Sequence, residues 1–84
     1  MFKFDPSKTF KKGLKDLTKN EQRAVAKKLE ILKKDPFHPS LRTKKVQRLV
    51  DVFECSVNMD IRIFWTYNGD NIILLIDVGH HDIL

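Results

Sequence analysis

Apolar residues recur along the first part of the chain at the spacing of an α-helix. Phe2 and Phe4 alternate with Lys3, which is typical of a short strand. Asp5 and Pro6 then favour a helix start, with Asp5 as N-cap and Pro6 in the first turn. Two apolar stripes at helical spacing follow, one of Phe10, Leu14 and Leu17 and the other of Val25, Leu29 and Leu32.

A second helix start lies between the two stripes. Thr18 and Glu21 have the spacing of a capping box, in which each side chain accepts the backbone N–H of the other residue. This helix is expected to run to about Lys34, because Pro36 lacks a backbone donor and restricts the residue before it. The sequence therefore predicts two helices joined by a short break, an antiparallel helical hairpin.

Hydrophobicity alternates with a period of two from Phe53 onward, which predicts strands. The residues predicted to share one face of the sheet are Phe53, Cys55, Val57, Ile61, Ile63, Trp65 and Tyr67. The residues predicted on the opposite face are Glu54, Ser56, Asn58, Arg62, Phe64 and Thr66. After a hairpin turn at residues 68–70, the last strand covers residues 71–78. Its predicted core residues are Ile72, Leu74, Ile76 and Val78, with Ile73, Leu75 and Asp77 facing away.

The resulting element order is β-α-α-β-β-β. We expect an α+β fold, an antiparallel sheet with the helical hairpin packed on one face, forming a single domain over residues 1–84. Eighty-four residues leave no room for a second core.

Composition narrows the function classes. Cys55 is the only cysteine, so an intrachain disulfide and a cysteine-based zinc site are excluded. The glycines are isolated, which excludes a phosphate-binding glycine loop. No metal or cofactor is expected. The longest apolar run, residues 72–76, is too short to span a membrane, and the absence of an export signal predicts a cytoplasmic protein.

Charge is distributed unevenly along the chain. Fifteen of the sixteen lysines and arginines lie in residues 1–48 against five acidic residues, a charge of +10, whereas residues 49–84 carry one arginine and six acidic residues, a charge of −5. This asymmetry indicates a surface for a polyanion or an acidic partner. It is also compatible with lysine-rich, solvated helix faces.

The face of the sheet away from the helices could hold a phosphate site. Alternation places Arg62, Asp77 and His81 on that face. Arginine binds phosphate with two parallel hydrogen bonds, and histidine transfers protons near neutral pH. Alternatively, Arg62 pairs with Asp60 or Asp77, and the tail histidines are inert.

Further residues are candidates for RNA contact. Arg42, Lys44, Lys45 and Arg48 precede the sheet and suit backbone phosphates. Phe64 could stack on an unpaired base, or it could make a hydrophobic contact with a partner protein or with the tail. Cys55 is expected to be a buried hydrophobic residue rather than a nucleophile.

Three segments resemble the toxins of the RelE/ParE superfamily, which belong to toxin–antitoxin systems. Residues 36–45 are similar to the loop and basic stretch before the sheet of those toxins, residues 58–63 to the strand that carries their active-site arginine, and residues 75–84 to their closing strand and tail. The predicted element order agrees with the family over the whole chain.

The resemblance implies an endoribonuclease that cleaves mRNA in the ribosomal A site without a metal, by attack of the 2′-hydroxyl on the adjacent phosphate. By position, Arg62 would hold the scissile phosphate and His81 would act as general acid or base, with His80 as a less certain neighbour. Lys44 and Lys45 would contact RNA. An acidic, helical antitoxin is the implied protein partner, in a hetero-oligomer.

Two features leave other readings open. Leu84 stands where the family often has a tyrosine that assists catalysis, and His38 would contribute only if the fold brings it near Arg62. A ParE-like inhibitor of DNA gyrase shares the predicted fold, and a non-catalytic basic RNA-binding module is a third reading.

Overall fold

The computed structural model describes residues 1–80, which form two helices packed on one face of a five-stranded mixed sheet. The elements in chain order are β1 (Lys3–Pro6), α1 (Lys8–Asp16), α2 (Lys19–Lys34), a 3₁₀ turn (Pro39–Leu41), β2 (Lys44–Lys45), β3 (Phe53–Ser56), β4 (Ile61–Tyr67) and β5 (Ile72–His80). The predicted α+β class and helical hairpin are confirmed. No helix within residues 1–80 is long and apolar enough to cross a membrane.

The strands lie in the order β1-β5-β4-β3-β2. β1 runs parallel to β5, whereas the other neighbouring strands are antiparallel. The prediction of a wholly antiparallel sheet is therefore wrong at this edge. A parallel neighbour needs a long crossover connection, and here the chain between β1 and the rest of the sheet contains both helices.

The first helix begins two residues later than predicted. Pro6 is still part of β1, and Ser7, not Asp5, is the N-cap of α1. The Ser7 hydroxyl accepts a hydrogen bond from the N–H of Phe10 at 3.0 Å and donates one to the carbonyl oxygen of Ile76 at 2.7 Å. The cap thus also attaches the start of α1 to β5.

The second helix begins as predicted. The Thr18 hydroxyl accepts from the N–H of Glu21 at 3.1 Å, and a Glu21 carboxylate oxygen accepts from the N–H of Thr18 at 2.9 Å. The capping box and the predicted end of the helix at Lys34 are confirmed.

The core lies between the helices and the face of the sheet that they cover, called here the inner face. It is built from Phe10, Leu17, Val25 and Leu32 of the helical region, Leu41 of the 3₁₀ turn, and Cys55, Val57, Ile61, Ile63, Trp65, Ile73, Leu75 and Val78 of the sheet region. Burial raises the pKa of Cys55 to about 12, so this thiol is a buried hydrophobic group.

The core residues of β5 differ from the prediction because the strand contains a bulge. Phe64 is paired with Asp77, but Trp65 is paired with Leu75, so Ile76 has no counterpart in β4. Ile73 and Leu75 are consequently buried, at 0% and 2% exposure. The predicted core positions Ile72, Leu74 and Ile76 are exposed or half-buried; among the predicted core residues of this strand, Val78 is buried.

α1 lies unusually close to β5 at Gly13. A Cβ atom on Gly13 would collide with the backbone carbonyl oxygen of Val78 and would lie 3.4 Å from Oδ1 of Asp77. Only a glycine allows this approach of helix and strand.

Candidate active site

Arg62 lies on the face of the sheet opposite to the helices, called here the outer face. In the register of the sheet it lies between Ser56 on β3 and Gly79 on β5. Gly79 has no side chain, so on the β5 side no side chain lies directly beside the arginine. The predicted placement of Arg62 on this face follows from a β4 that alternates regularly from Ile61 to Tyr67.

The guanidinium group is held by the turn between β3 and β4. Nη1 of Arg62 donates to the carbonyl oxygens of Asn58 at 2.8 Å, Met59 at 3.2 Å and Ile61 at 3.2 Å. The turn is itself braced by Oδ1 of Asn58, which accepts the N–H groups of Asp60 and Ile61. The side chain of Arg62 is 23% exposed. Its position is therefore fixed by local backbone before any ligand binds.

The carboxylate beside Arg62 belongs to Glu54. Its Oε1 atom lies 4.0 Å from Nε of Arg62 and 3.7 Å from Nζ of Lys44. Neither Asp60 nor Asp77, the partners considered from sequence, forms an ion pair with Arg62 among residues 1–80.

Asp77 is turned toward α1 rather than toward Arg62. Its Oδ1 atom accepts the N–H of Val78 at 2.8 Å and lies near Gly13. Burial raises the pKa of the Asp77 carboxyl group. The placement of Asp77 beside Arg62 is therefore wrong, since the side chain follows the bulge in β5.

A second wall faces Arg62, formed by the 3₁₀ turn and the residue after it. Arg42 has a left-handed backbone, with φ 51° and ψ 42°. The turn is anchored by the fully buried Leu41 and by a hydrogen bond from Nζ of Lys28 to the carbonyl oxygen of Ser40 at 3.3 Å. The Thr43 hydroxyl fixes the other end by donating to the carbonyl oxygen of Pro36 at 2.5 Å.

Between the two walls is a cleft of about 380 Å³, called here the arginine cleft. It is lined by Ser40, Arg42, Ser56, Val57, Asn58, Met59 and Arg62. Two arginines and several neutral polar residues line it, and no acidic residue of 1–80 is among them. Such a cleft attracts anions and can form charge-assisted hydrogen bonds to phosphate oxygens.

The predicted RNA-contacting residues are divided between two faces. Lys44 shares the outer face with Glu54 and Arg62, whereas Lys45 is paired with Phe53 and lies on the inner face. Arg48 is exposed in the loop between β2 and β3. The sheet thus brings Lys44 close to the arginine cleft but directs Lys45 elsewhere.

Phe64 does not present its ring to solvent. It lies on the outer face as predicted, but its exposure is 3%. The loop after β2 reaches this face, because the Thr66 hydroxyl donates to the carbonyl oxygen of Asp51 at 2.5 Å. A buried ring cannot stack on a base, so the predicted base stacking by Phe64 is wrong.

The histidines also separate. His80 is paired with Ile61 on the inner face, and its Nε2 atom lies 3.7 Å from a carboxylate oxygen of Glu21. His81 and Leu84 lie outside the described residues. His38 is near the arginine cleft, since its Nδ1 atom accepts the N–H of Ser40 at 3.1 Å and lies 2.9 Å from the Ser40 hydroxyl. Of the two predicted catalytic residues within 1–80, Arg62 lies in the cleft and His80 does not.

Sequence reasoning identified Arg42 and Arg62 but missed other residues in and beside the arginine cleft. Ser40 had no predicted role, and Asn58, which lines the cleft, and Glu54, whose carboxylate lies beside Arg62, were recognised only as polar positions on the outer face. A signal was present for Asn58, because asparagine two residues before an aspartate in a turn often accepts the following N–H groups. Within residues 1–80 there is no group of three or more His, Cys, Asp or Glu side chains arranged to hold a metal ion.

The fold is shared with known toxins. A toxin from Helicobacter pylori, solved with bound metal, is 26% identical to this chain, with a TM-score of 0.84 over 100% of this chain and 99% of that one. The RelE–RelB complex of the archaeon Pyrococcus horikoshii contains a chain that is 18% identical, with a TM-score of 0.79 over 99% and 98%. A YoeB/ParE toxin from Agrobacterium tumefaciens is 9% identical, with a TM-score of 0.83 over 95% and 99%.

No family model matches the sequence, and no curated protein matches it. Solved structures described as RelE and YoeB/ParE toxins nevertheless share the fold that the resemblance of residues 36–45, 58–63 and 75–84 implied.

Proposed function

We propose that this chain, which has the fold of the RelE/ParE toxins, is the toxin of a toxin–antitoxin pair and an endoribonuclease that cleaves mRNA at the ribosomal A site in the cytoplasm. The observation that carries the proposal is the arginine cleft. Two arginines, Arg42 and Arg62, line it, and no acidic residue is among its described lining residues, which suits a bound phosphodiester.

The proposed reaction needs no metal, because the nucleophile is the 2′-hydroxyl of the RNA itself. The 2′-hydroxyl gives its proton to a base as its oxygen forms a bond to the adjacent phosphorus, which becomes a 2′,3′-cyclic phosphate. The bond from phosphorus to the 5′-oxygen of the next nucleotide breaks, and that oxygen takes up a proton and leaves as a hydroxyl. Arg62 stabilises the charge that develops on the phosphate oxygens. His81, in the tail, is the proposed proton-transfer group. His80 is a poorer candidate, since it lies on the inner face beside Glu21.

Replacing Arg42 should affect the stability of the protein and its binding of RNA in different ways. Its left-handed backbone favours glycine, so Arg42→Gly should leave the free energy of unfolding unchanged or raise it by up to about 1 kcal/mol. The same change removes one guanidinium from the cleft and should weaken binding of a non-cleavable RNA about tenfold. Urea unfolding and fluorescence anisotropy measure the two quantities. A variant that is destabilised but binds RNA normally would show that Arg42 has only a structural role.

The proposed protein partner is an acidic, helical antitoxin. The support is that the similar RelE toxin from Pyrococcus horikoshii was solved in complex with RelB. The excess of basic residues in residues 1–48 suits a partner of opposite charge. The ribosome, the proposed site of action, is also a polyanion that this surface would attract.

A ParE-like inhibitor of DNA gyrase is the second candidate, favoured by the fold shared with a YoeB/ParE toxin. The two functions are separated by adding purified protein to a cell-free translation reaction and, in parallel, to gyrase with relaxed plasmid. We expect full-length reporter mRNA to disappear while supercoiling proceeds. Intact mRNA together with blocked supercoiling would contradict the ribonuclease function and support inhibition of gyrase. If the protein binds RNA but neither cleaves mRNA nor blocks supercoiling, a non-catalytic RNA-binding module is the remaining function.

A further inference from the structure

A cluster of aromatic side chains lies on the inner face, beyond the end of α2. Phe37, Phe53 and Tyr67 contact Trp65, and Phe2 contacts Tyr67; these five residues are called here the aromatic patch. Their ring centroids lie 4.7 to 6.2 Å apart in six pairs. Phe37 is 55% exposed and Tyr67 is 40% exposed. The patch therefore presents two exposed rings, Phe37 and Tyr67, which both contact the buried indole of Trp65.

Beneath this surface is a polar group without a partner. Trp65 is fully buried, and its Nε1–H group donates no hydrogen bond to any acceptor in the described part of the chain. A buried donor left unpaired is costly, so nearly all such groups in folded proteins have an acceptor. The indole is stacked on Phe53 and lies edge-on to Phe37 and Tyr67. An unmet hydrogen-bond donor thus belongs to the same cluster as the exposed rings.

The rim of the patch is basic. Lys45 is paired with Phe53 and shares its face of the sheet. Lys33 and Lys34 form the last turn of α2, which adjoins the patch because the N–H of Phe2 donates to the carbonyl oxygen of Lys33 at 2.9 Å. The acidic residue in this region, Asp35, accepts the N–H of Phe37 at 3.3 Å. The surface is apolar at its centre and carries lysines at its edge.

We propose that the aromatic patch is the docking surface for an acidic, apolar segment of a partner protein, which packs an apolar side chain against Phe37 and Tyr67 and places carboxylates beside Lys45 and the end of α2. Aromatic residues are enriched at the centres of protein interfaces, and complementary charges at the rim select the partner. This inference rests on the proposed function, since it assigns a surface to the antitoxin of that proposal.

RNA is a less suitable occupant of the patch. The arginine cleft lies on the outer face, with Arg62 paired to Ser56, whereas Phe53, Trp65 and Tyr67 lie on the inner face. An RNA held in the cleft is therefore on the other side of the sheet. The rings of the patch also pack against one another, and base stacking uses an aromatic ring with an open face. Partner docking and RNA binding consequently use separate residues.

Trp65 is the only tryptophan in the chain, so its fluorescence reports directly on the patch. The probes are two synthetic amphipathic peptides of about twenty residues, a length that can form a helix, with identical leucine and phenylalanine positions and with either glutamates or lysines elsewhere. A short oligouridine is the third probe. We expect the glutamate peptide to change the emission of Trp65 and to bind at least about tenfold more tightly than the lysine peptide.

Variants locate the binding. Phe37→Ser and Tyr67→Ser should each lower the affinity for the glutamate peptide about tenfold. Lys45→Glu should reduce or reverse the preference for the glutamate peptide over the lysine peptide. Val50→Ser is the matched control, because Val50 is an apolar residue with 87% exposure in a loop outside the patch. Urea unfolding of each variant checks that it is folded. Phe37→Ser should also cut mRNA as the wild type does.

Several results would overturn the proposal. They are absence of glutamate-peptide binding, binding that Phe37→Ser and Tyr67→Ser leave unchanged, oligouridine binding that these variants abolish, and a dimer of this chain that Phe37→Ser dissociates. The proposed ribonuclease function is tested separately. If the wild-type protein binds the glutamate peptide through the patch but leaves mRNA intact in the translation reaction, the docking proposal stands and the ribonuclease proposal is wrong.

Discussion

Replacing Arg62 with alanine should lower the rate of mRNA cleavage about 10²–10³-fold, the usual cost of removing one group that stabilises charge in a transition state. The structure supports a large effect because the guanidinium is held in place by the carbonyl oxygens of Asn58, Met59 and Ile61. Little conformational freedom remains to be lost when phosphate binds. Arg62→Lys should restore only part of the rate, since an ammonium group lacks the planar pair of donors.

The measurement is the initial rate of reporter mRNA cleavage in a translation reaction. Arg23→Ala is the matched control, because it removes the same charge from an exposed position on α2, where Arg23 bonds only to Asn20 among the hydrogen bonds of residues 1–80. Far-ultraviolet circular dichroism and urea unfolding confirm that both variants are folded. Equal cleavage rates for Arg62→Ala and Arg23→Ala would show that Arg62 has no role in the reaction.

Gly13→Ala should destabilise the protein by about 2 kcal/mol, although alanine normally favours a helix over glycine. The added methyl group would collide with the backbone carbonyl of Val78, which cannot rotate away as a flexible side chain could. Relief requires that α1 move away from β5, and this movement would also disturb the hydrogen bond from Ser7 to the carbonyl oxygen of Ile76.

The free energy of unfolding in urea gives the test, with Lys11→Ala as a control on the same helix at an exposed position. The control should be nearly neutral. A Gly13→Ala variant as stable as the wild type, or more stable, would show that α1 and β5 do not approach as closely as described.

Local signals in the sequence were sufficient to predict the bounds of the second helix and the face of the sheet on which Arg62 lies. The capping box at Thr18 and Glu21 specifies a helix start through atoms three residues apart, so no tertiary information is needed. Arg62 could be assigned to the outer face because β4 alternates without interruption. The same kind of pattern failed in β5, where almost every residue is apolar and the two alternations look alike; the bulge at Ile76 then decided which residues are buried.

The cleft itself depends on contacts between distant parts of the chain. Ser40 and Arg42 line the same cleft as Arg62 because the turn that carries them is anchored by Leu41, which is buried in the core, and by Lys28, which donates to the carbonyl oxygen of Ser40. Phe64 was misjudged for a related reason: its alternation was correct, but the loop that reaches Thr66 covers part of the outer face. A period-two pattern predicts the face of the sheet on which a side chain lies, but it does not predict which loop or helix covers that face.

The claim that the arginine cleft cleaves RNA is tested most directly by mapping RNA ends after induced expression in cells. We expect new 5′-hydroxyl ends inside coding regions of translated mRNA, present with the wild type and absent with Arg62→Ala at equal protein levels. Growth arrest by the wild type without new RNA ends, or the same ends produced by Arg62→Ala, would contradict it.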